Sequence, residues 1–317
     1  MNDILVAEIS GKRPGDKFKR RTERFELNHD KVIISNNSDG YITDWPIINV
    51  PEDYRKWYIE NHKNSDNSWY APMNRSYAIK YAREHDYKYL VQLDDNIDKL
   101  EISYFENDKD VKRRFRKVSS HDMMDDFIDM QKTVIENTNA VMVGFQLNGT
   151  AVPDMTFMRE GYVYSFFMLD LENCPDIFHG DFEDDIEYRL KCAQMGKPVI
   201  QIQPLKYGKT GQAHTKDLSG CRAEYLKAGL KRGEHMKMLY PGMYTCKMTR
   251  NRHFTSMKPD DEPINFKHIL KVYKVGVIVK DIAPIKKRFK ELLQKYGEAK
   301  PDKAIIKAKK IRTKKRG

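Results

Sequence analysis

Two acidic segments hold the residue types in this sequence best suited to chemistry. The first is Asp94-Asp95-Asn96, which follows the apolar run Tyr89-Leu90-Val91-Gln92-Leu93. Side chains alternate along extended backbone, so Asp94 and Asn96 face one side and Asp95 the other. Hard oxygen donors grouped in this way suit Mg2+ or Mn2+, which would bridge nucleotide phosphates and neutralise a departing diphosphate. An ordinary Asx turn with solvated acids would use the same residues. The second segment runs from His179 to Leu190 and contains Asp181, Glu183, Asp184, Asp185 and Glu187. Capping and the helix dipole favour one or two acids at a helix start. Five neighbouring carboxylates repel one another, so those preferences account poorly for the whole set. A carboxylate held at a helix N-terminus stays ionised at neutral pH and can accept a proton from an attacking hydroxyl.

The surrounding pattern indicates what positions these groups. Ile4-Leu5-Val6-Ala7, closed by Ser10-Gly11 and Arg13-Pro14, is expected to be a buried strand. Lys31 to Ser35 is a second, ending in the turn Asn36-Asn37-Ser38-Asp39-Gly40. Residues 41–69 read as an aromatic-rich connection with one short helix. A helix over about 75–85, with Tyr77, Ala78, Tyr81 and Ala82 on its apolar face, leads into the Tyr89 strand. Helices are also expected over 122–136 and 184–195, the latter capped by Gly196 and stopped by Pro198. Strands are expected at 140–145 and 199–203, and a hairpin over 155–170 with Glu160-Gly161 at its turn. Beyond Leu205 the chain reads as irregular until helices near 221–228 and 284–296. Ile285, Phe289, Leu292, Leu293 and Tyr296 form a core-facing stripe in the last. Strands alternating with helices predict an α/β fold with a mostly parallel sheet. Ligands on such sheets bind beyond the carboxyl ends of the strands.

The chain has 317 residues, 40% hydrophobic and 32% charged, a globular rather than disordered composition. No apolar run approaches the roughly 20 residues that span a bilayer, and Met1-Asn2-Asp3-Ile4 lacks the features of a signal peptide. A cytoplasmic location is expected, with no membrane partner. Cys174, Cys192, Cys221 and Cys246 are widely spaced and read as reduced, partly buried thiols rather than a zinc site. The net charge of +11 is concentrated in two places. Lys12, Arg13, Lys17, Lys19, Arg20, Arg21 and Arg24 follow the first strand. Eight Lys or Arg residues and no acid lie between Lys303 and Gly317. Clustered cations favour a polyanion, most commonly nucleic acid, although a solvated tail would also explain the second group.

The order of these pieces resembles the GT-A glycosyltransferases. In that fold a strand ends in an aspartate-rich metal motif, matched here by Asp94-Asp95-Asn96. A later helix opens with a Glu-Asp pair carrying the base, matched by Glu183-Asp184. Met73-Asn74-Arg75-Ser76-Tyr77-Ala78 resembles the Arg-Asn-x-Ala region that approaches the sugar nucleotide, with Asn and Arg reversed, so either Asn74 or Arg75 would contact the ligand. More closely, Leu-Asp-Asp-Asn-Ile with the later Phe-Glu-Asp-Asp-Ile-Glu-Tyr is similar to the TET-associated glycosyltransferases of bacteriophages, over roughly residues 4–225.

That resemblance implies a GT-A-like catalytic domain over 1–230; beyond it a C-terminal extension packing on that domain over 231–299 and a basic tail over 300–317 are expected, the tail not covered by the resemblance. The resemblance also implies a UDP-sugar donor and an inverting transfer. The metal would be held by Asp94, Asp95 or Asn96, with His214 completing its shell. Asp184 would be the general base, oriented by Glu183 or Asp185. Asp39 would approach the nucleotide base and Arg13 a phosphate, both expected from topology. The acceptor would be 5-hydroxymethylcytosine, bare or already glycosylated, in double-stranded DNA held by the basic loop and tail. A transferase acting on polysaccharide or protein would share both acidic motifs without needing the charge pattern. A nucleotidyltransferase would also use clustered acids with a metal, but no Asp-x-Asp pair with a glycine-serine nucleotide loop ahead of it is found. A non-catalytic nucleic-acid-binding module would explain only the charge.

Overall fold

The computed structural model describes residues 3–17, 20–62, 71–105, 115–147, 157–179, 184–209, 238–249, 265–270 and 275–296. The strand β1 (Ile4–Ser10) is buried along its whole length, and its side chains divide by alternation. Leu5, Ala7 and Ile9 enter one apolar cluster, while Ile4 and Val6 enter another on the opposite face. A strand covered on both faces needs a largely apolar run, which Ile4-Leu5-Val6-Ala7 supplies ahead of buried Glu8.

Parallel to β1 on either side lie β2 (Asp30–Ser35) and β4 (Tyr89–Asp94), and β2 also pairs in parallel with β3 (Ile47–Asn49). The helices α1 (Glu52–His62) and α2 (Ala71–Glu84) cover the first face through Tyr54, Tyr58, Met73, Ala78, Ile79 and Ala82. Pro72 falls in the first turn of α2, where its missing N–H costs no helical bond. The second face is covered by α3 (Met124–Glu136) and by the last described helix, α5 (Ala283–Tyr296). The expected stripe on α5 is present: Ile285, Phe289, Leu292 and Leu293 are buried with Phe127 and Val134, and Tyr296 is partly buried beside them.

The remaining strands are β5 (Ile97–Phe105), β6 (Phe115–Ser120), β7 (Met142–Leu147), β8 (Met158–Glu160), β9 (Phe166–Asp170) and β10 (Val199–Lys209). Between β9 and β10 comes α4 (Asp184–Gln194). Ten strands form one sheet in the order β3-β2-β1-β4-β9-β7-β10-β5-β6, with β8 also on β10. The expected α/β layering is therefore present. Its parallel character is confined to the β3-β2-β1-β4 block and the β7–β10 pair, because β9 runs antiparallel to both β4 and β7. An apolar run buried on both faces reads the same in either direction, so strand polarity was not legible.

Two local expectations are corrected. The hairpin over 155–170 does not form, since β8 pairs with β10 and β9 lies between β4 and β7. The link between them is tied to β10 instead, through Gly161 N to Val199 O at 3.1 Å and Gln201 Nε2 to Tyr162 O at 2.6 Å. The strand expected to end at Gln203 continues to Lys209, passing a register shift between Ile202 and Lys206. A separate hairpin joins β11 (Tyr244–Thr249) and β12 (Asn265–Leu270). Cys174 and Cys192 are buried free thiols. The helix expected near 221–228 lies outside the described residues, as do Cys221 and the basic tail. No helix among the described residues is long and apolar enough to cross a membrane.

Candidate active site

The carboxyl end of β4 and the start of α4 meet at one guanidinium. Arg75, in the second turn of α2, places Nη2 2.6 Å from Asp94 Oδ1 and Nε 2.9 Å from Asp184 Oδ2. Its own orientation is fixed by Gln92, which accepts from Nη1 at 3.2 Å and donates Nε2 to the Arg75 carbonyl at 3.0 Å. The ring of Phe167 lies 5.3 Å from the guanidinium carbon. The two acidic segments, 90 residues apart in the chain, thus share one buried cation.

Asp94 also meets a second cation. Lys209 Nζ, at the end of β10, lies 2.5 Å from Asp94 Oδ2 and 2.7 Å from Ser165 Oγ. Ser165 takes the left-handed conformation (φ 53°), which a side chain rarely adopts, and its carbonyl accepts from Asp94 N at 2.8 Å. Because β9 is antiparallel to β4, the residue preceding β9 sits at the carboxyl end of β4, and the turn at Ser165 closes the site there. Burial pushes the Asp94 carboxyl up, but Lys209 and Arg75 outweigh it and hold Asp94 far below the usual carboxylate range. The side chains of Asp94 and Lys209 are 24% and 25% exposed, against 5% for Arg75, so a ligand reaches the lysine side of this cluster first.

Asp95 points the other way, as alternation requires. Its Oδ2 accepts from Ser10 Oγ at 2.8 Å and lies 3.0 Å from Arg13 Nε. Burial raises its pKa, and Arg13 and Ser10 oppose that rise without cancelling it. The loop carrying Arg13 is pinned by buried Arg20, which donates to the carbonyls of Arg13, Gly15 and Ile42. Asn74 Nδ2 donates to the Ser10 carbonyl at 3.0 Å, tying α2 to the end of β1. The Asn96 side chain is buried, and its Oδ1 has no hydrogen-bond partner among the described residues. Beside Asp184, one turn along α4, Glu187 is buried and accepts from the His179 backbone N at 3.1 Å and from the Tyr240 hydroxyl. His179 Nε2 in turn shares a 2.9 Å hydrogen bond with His62 Nδ1.

The TET-Associated Glycosyltransferase family matches residues 29–217, more than half of the chain, and this span holds Arg75, Asp94, Asp184 and Lys209. The chain belongs to the TET-associated glycosyltransferase family. No curated protein matches this glycosyltransferase. Among solved structures, it is similar to a protein from Desulfovibrio desulfuricans G20 assigned as a nucleotide-diphospho-sugar transferase, at 12% identity and a TM-score of 0.33, over 76% of this chain and 99% of that one. The strand β1, with Ser10 and Arg13, precedes the span matched by the family.

Of the residues singled out in the sequence of this glycosyltransferase, Arg75, Asp94 and Asp184 are joined through ion pairs, and Arg13 pairs separately with Asp95. Asn74 lies at the same edge but donates to the Ser10 carbonyl and to Asn36 Oδ1. Asp39 is exposed in the turn after β2, where Asn37 Oδ1 accepts from its backbone N at 3.1 Å, and it makes no described contact with the cluster. Asp185 caps locally, accepting from Ile186 N at 2.9 Å. Glu183 and His214 lie outside the described residues.

The metal expected at Asp94 does not fit the donor set as arranged. Both Asp94 oxygens already face protein cations, and an ammonium stands where a divalent ion would approach Oδ2. Asp95 Oδ2 is similarly engaged by Arg13. Among the described residues no three His, Cys, Asp or Glu side chains converge as a metal site. Lys209 and Ser165 were the residues sequence reasoning missed. Both lie in stretches read as hairpin or irregular chain, and nothing in their neighbours' types marks them.

Proposed function

We propose that this glycosyltransferase moves a sugar from a UDP-sugar to the hydroxyl of a hydroxymethylated pyrimidine in DNA, with inversion at the anomeric carbon. The observation that carries this reading is the single guanidinium of Arg75 spanning Asp94 and Asp184. It brings the strand end that would face the donor diphosphate to the helix start that would face the acceptor. Asp184 is the proposed base. Arg75 Nε lies 2.9 Å from its Oδ2 and stands beside the carboxylate as its counter-charge. As the acceptor oxygen forms its bond to the anomeric carbon, its proton passes to Asp184. The bond from that carbon to the diphosphate oxygen breaks, and the electron pair leaves with the UDP. Arg13 and either Asn74 or Arg75 are the proposed donor-side contacts. Glu183 or Asp185 would orient the base.

An acceptor hydroxymethyl group projects into the major groove, so the enzyme must enter that groove or take the base out of the stack. The basic character of the chain supports a polyanionic acceptor, with phosphates held independently of sequence. The test is mass spectrometry of hydroxymethylated DNA, bare and glucosylated, after incubation with a panel of UDP-sugars. A mass increase of one sugar on the modified base is the expected result. Sugar found only on polysaccharide or protein added to the same reaction would overturn the acceptor assignment. General-base catalysis typically contributes about 10²- to 10⁴-fold, so Asp184→Asn should lower turnover by at least ~100-fold with donor affinity retained.

A further inference from the structure

We infer that Lys209 supplies the positive charge for the departing diphosphate in place of a divalent cation. The inference rests on the sugar-nucleotide reading above and concerns how that site handles the donor.

Three observations converge on it. Lys209 Nζ contacts Asp94 Oδ2 at 2.5 Å and Ser165 Oγ at 2.7 Å, so the ammonium is held by oxygens of the strand-end motif much as an ion would be. Among the described residues these two contacts use two of its three donors, and the side chain is 25% exposed, so the lysine is reachable from solvent. The segment holding it is built for the purpose. Ser165 adopts a disfavoured positive φ, and β10 carries an irregularity before it reaches Asp94. Arg13 adds a second cation on Asp95, 21% exposed. Lys209 and Arg13 together carry the charge of one divalent ion, beside Arg75, which Asp94 shares with Asp184.

A cation fixed before the reaction stabilises developing negative charge without reorganising as the bond breaks. Lysine presents that charge as a compact point, well suited to a diphosphate oxygen. A divalent ion at Asp94 would instead have to displace Lys209 from the carboxylate it already occupies.

The experiment is titration calorimetry of the full chain with UDP and with uridine, each in EDTA and in Mn2+, on wild type, Lys209→Met and Lys209→Arg. Hydrogen bonds to charged groups contribute about 1.5–3 kcal/mol, so Lys209→Met should weaken UDP binding roughly 10-fold or more. Uridine, which has no diphosphate, should bind all three proteins equally. UDP affinity of the wild type should be the same in EDTA and in Mn2+, and Lys209→Arg should retain most of it. Wild-type UDP binding that needs Mn2+, or a Lys209→Met affinity equal to wild type, would overturn the lysine assignment and leave the sugar-nucleotide reading standing. If wild type binds neither UDP nor uridine, both readings fall.

Discussion

At the scale of single residues, Arg75 bears the most on both stability and chemistry. It is 4% exposed and neutralises two carboxylates that otherwise face each other across the site. Removing one partner of a buried ion pair typically costs about 3–5 kcal/mol. Arg75→Met should fall near the lower end, ~3 kcal/mol by denaturant unfolding, because Asp94 keeps Lys209. Glu8 presents the opposite case. It is fully buried in β1, and burial raises its pKa well above the ordinary value, with Asp95 and Glu23 adding to the rise. The unfolded chain ionises Glu8 near the usual carboxylate pKa while the folded chain keeps the proton, so stability falls as pH rises between those two values. Glu8→Gln should therefore raise the melting temperature at pH 8 and leave it unchanged near pH 3. A melting temperature lowered at pH 8 would show that the ionised carboxylate is needed. Asp94, Asp95 and Asp184 were legible as a group because acids rarely follow an apolar run or crowd a helix start without cause. Their cations were not. Arginine and lysine are common, and only the fold reveals which of 57 reach a carboxylate.

At the scale of elements, the start of β9 shapes the cleft. Gly144 in β7 faces it at close range, and a Cβ added there would lie 2.7 Å from the Phe166 carbonyl and 2.8 Å from the Val163 side chain. Overpacking of this kind costs about 1–3 kcal/mol. Gly144→Ala should lower stability by that amount in chemical denaturation, and it should lower activity further by pushing Phe166 against Ser165 and Lys209. A stable variant with wild-type turnover would show that this turn tolerates movement. The strands β1, β2, β4 and β7 and the helices α2, α3 and α4 were all readable from apolar periodicity and their stops. The continuation of β10 was not, because the chain beyond Leu205 reads as irregular. In the structure Pro204 falls within the register shift, a place where a missing N–H is tolerated. Polarity in the second half of the sheet was equally hidden, since pairing partners are set by links such as 161–165 rather than by the strands themselves.

At the scale of the whole molecule, charge is the dominant feature. The net +11 and the eight cations after Pro301 set the expected behaviour toward DNA. Binding that neutralises phosphates falls with salt in proportion to the number neutralised. Removal of residues 303–317 should weaken affinity for hydroxymethylated DNA and flatten the dependence of log K on log salt. An unchanged slope would place the DNA contact elsewhere on the protein. Composition alone suggests the proposed polyanionic partner, whereas the layered core required the fold: the face of the sheet opposite α1 and α2 is covered by α3 together with α5, which arrives from near the end of the chain.

The strand β10 also acts as a gauge. Its pairing with β7 passes from Ile202 opposite Phe145 to Lys206 opposite Gln146, so Gln203, Pro204 and Leu205 have no counterpart on the neighbouring strand. At roughly 3.3 Å per residue, that slack amounts to about 10 Å of chain. Were those three residues excised, Ile202 and Lys206 could follow one another beside Phe145 and Gln146, and Lys209 would keep its place at Asp94. The loss would fall on the other neighbour instead, because buried Leu205 is the residue that meets Ile102 of β5.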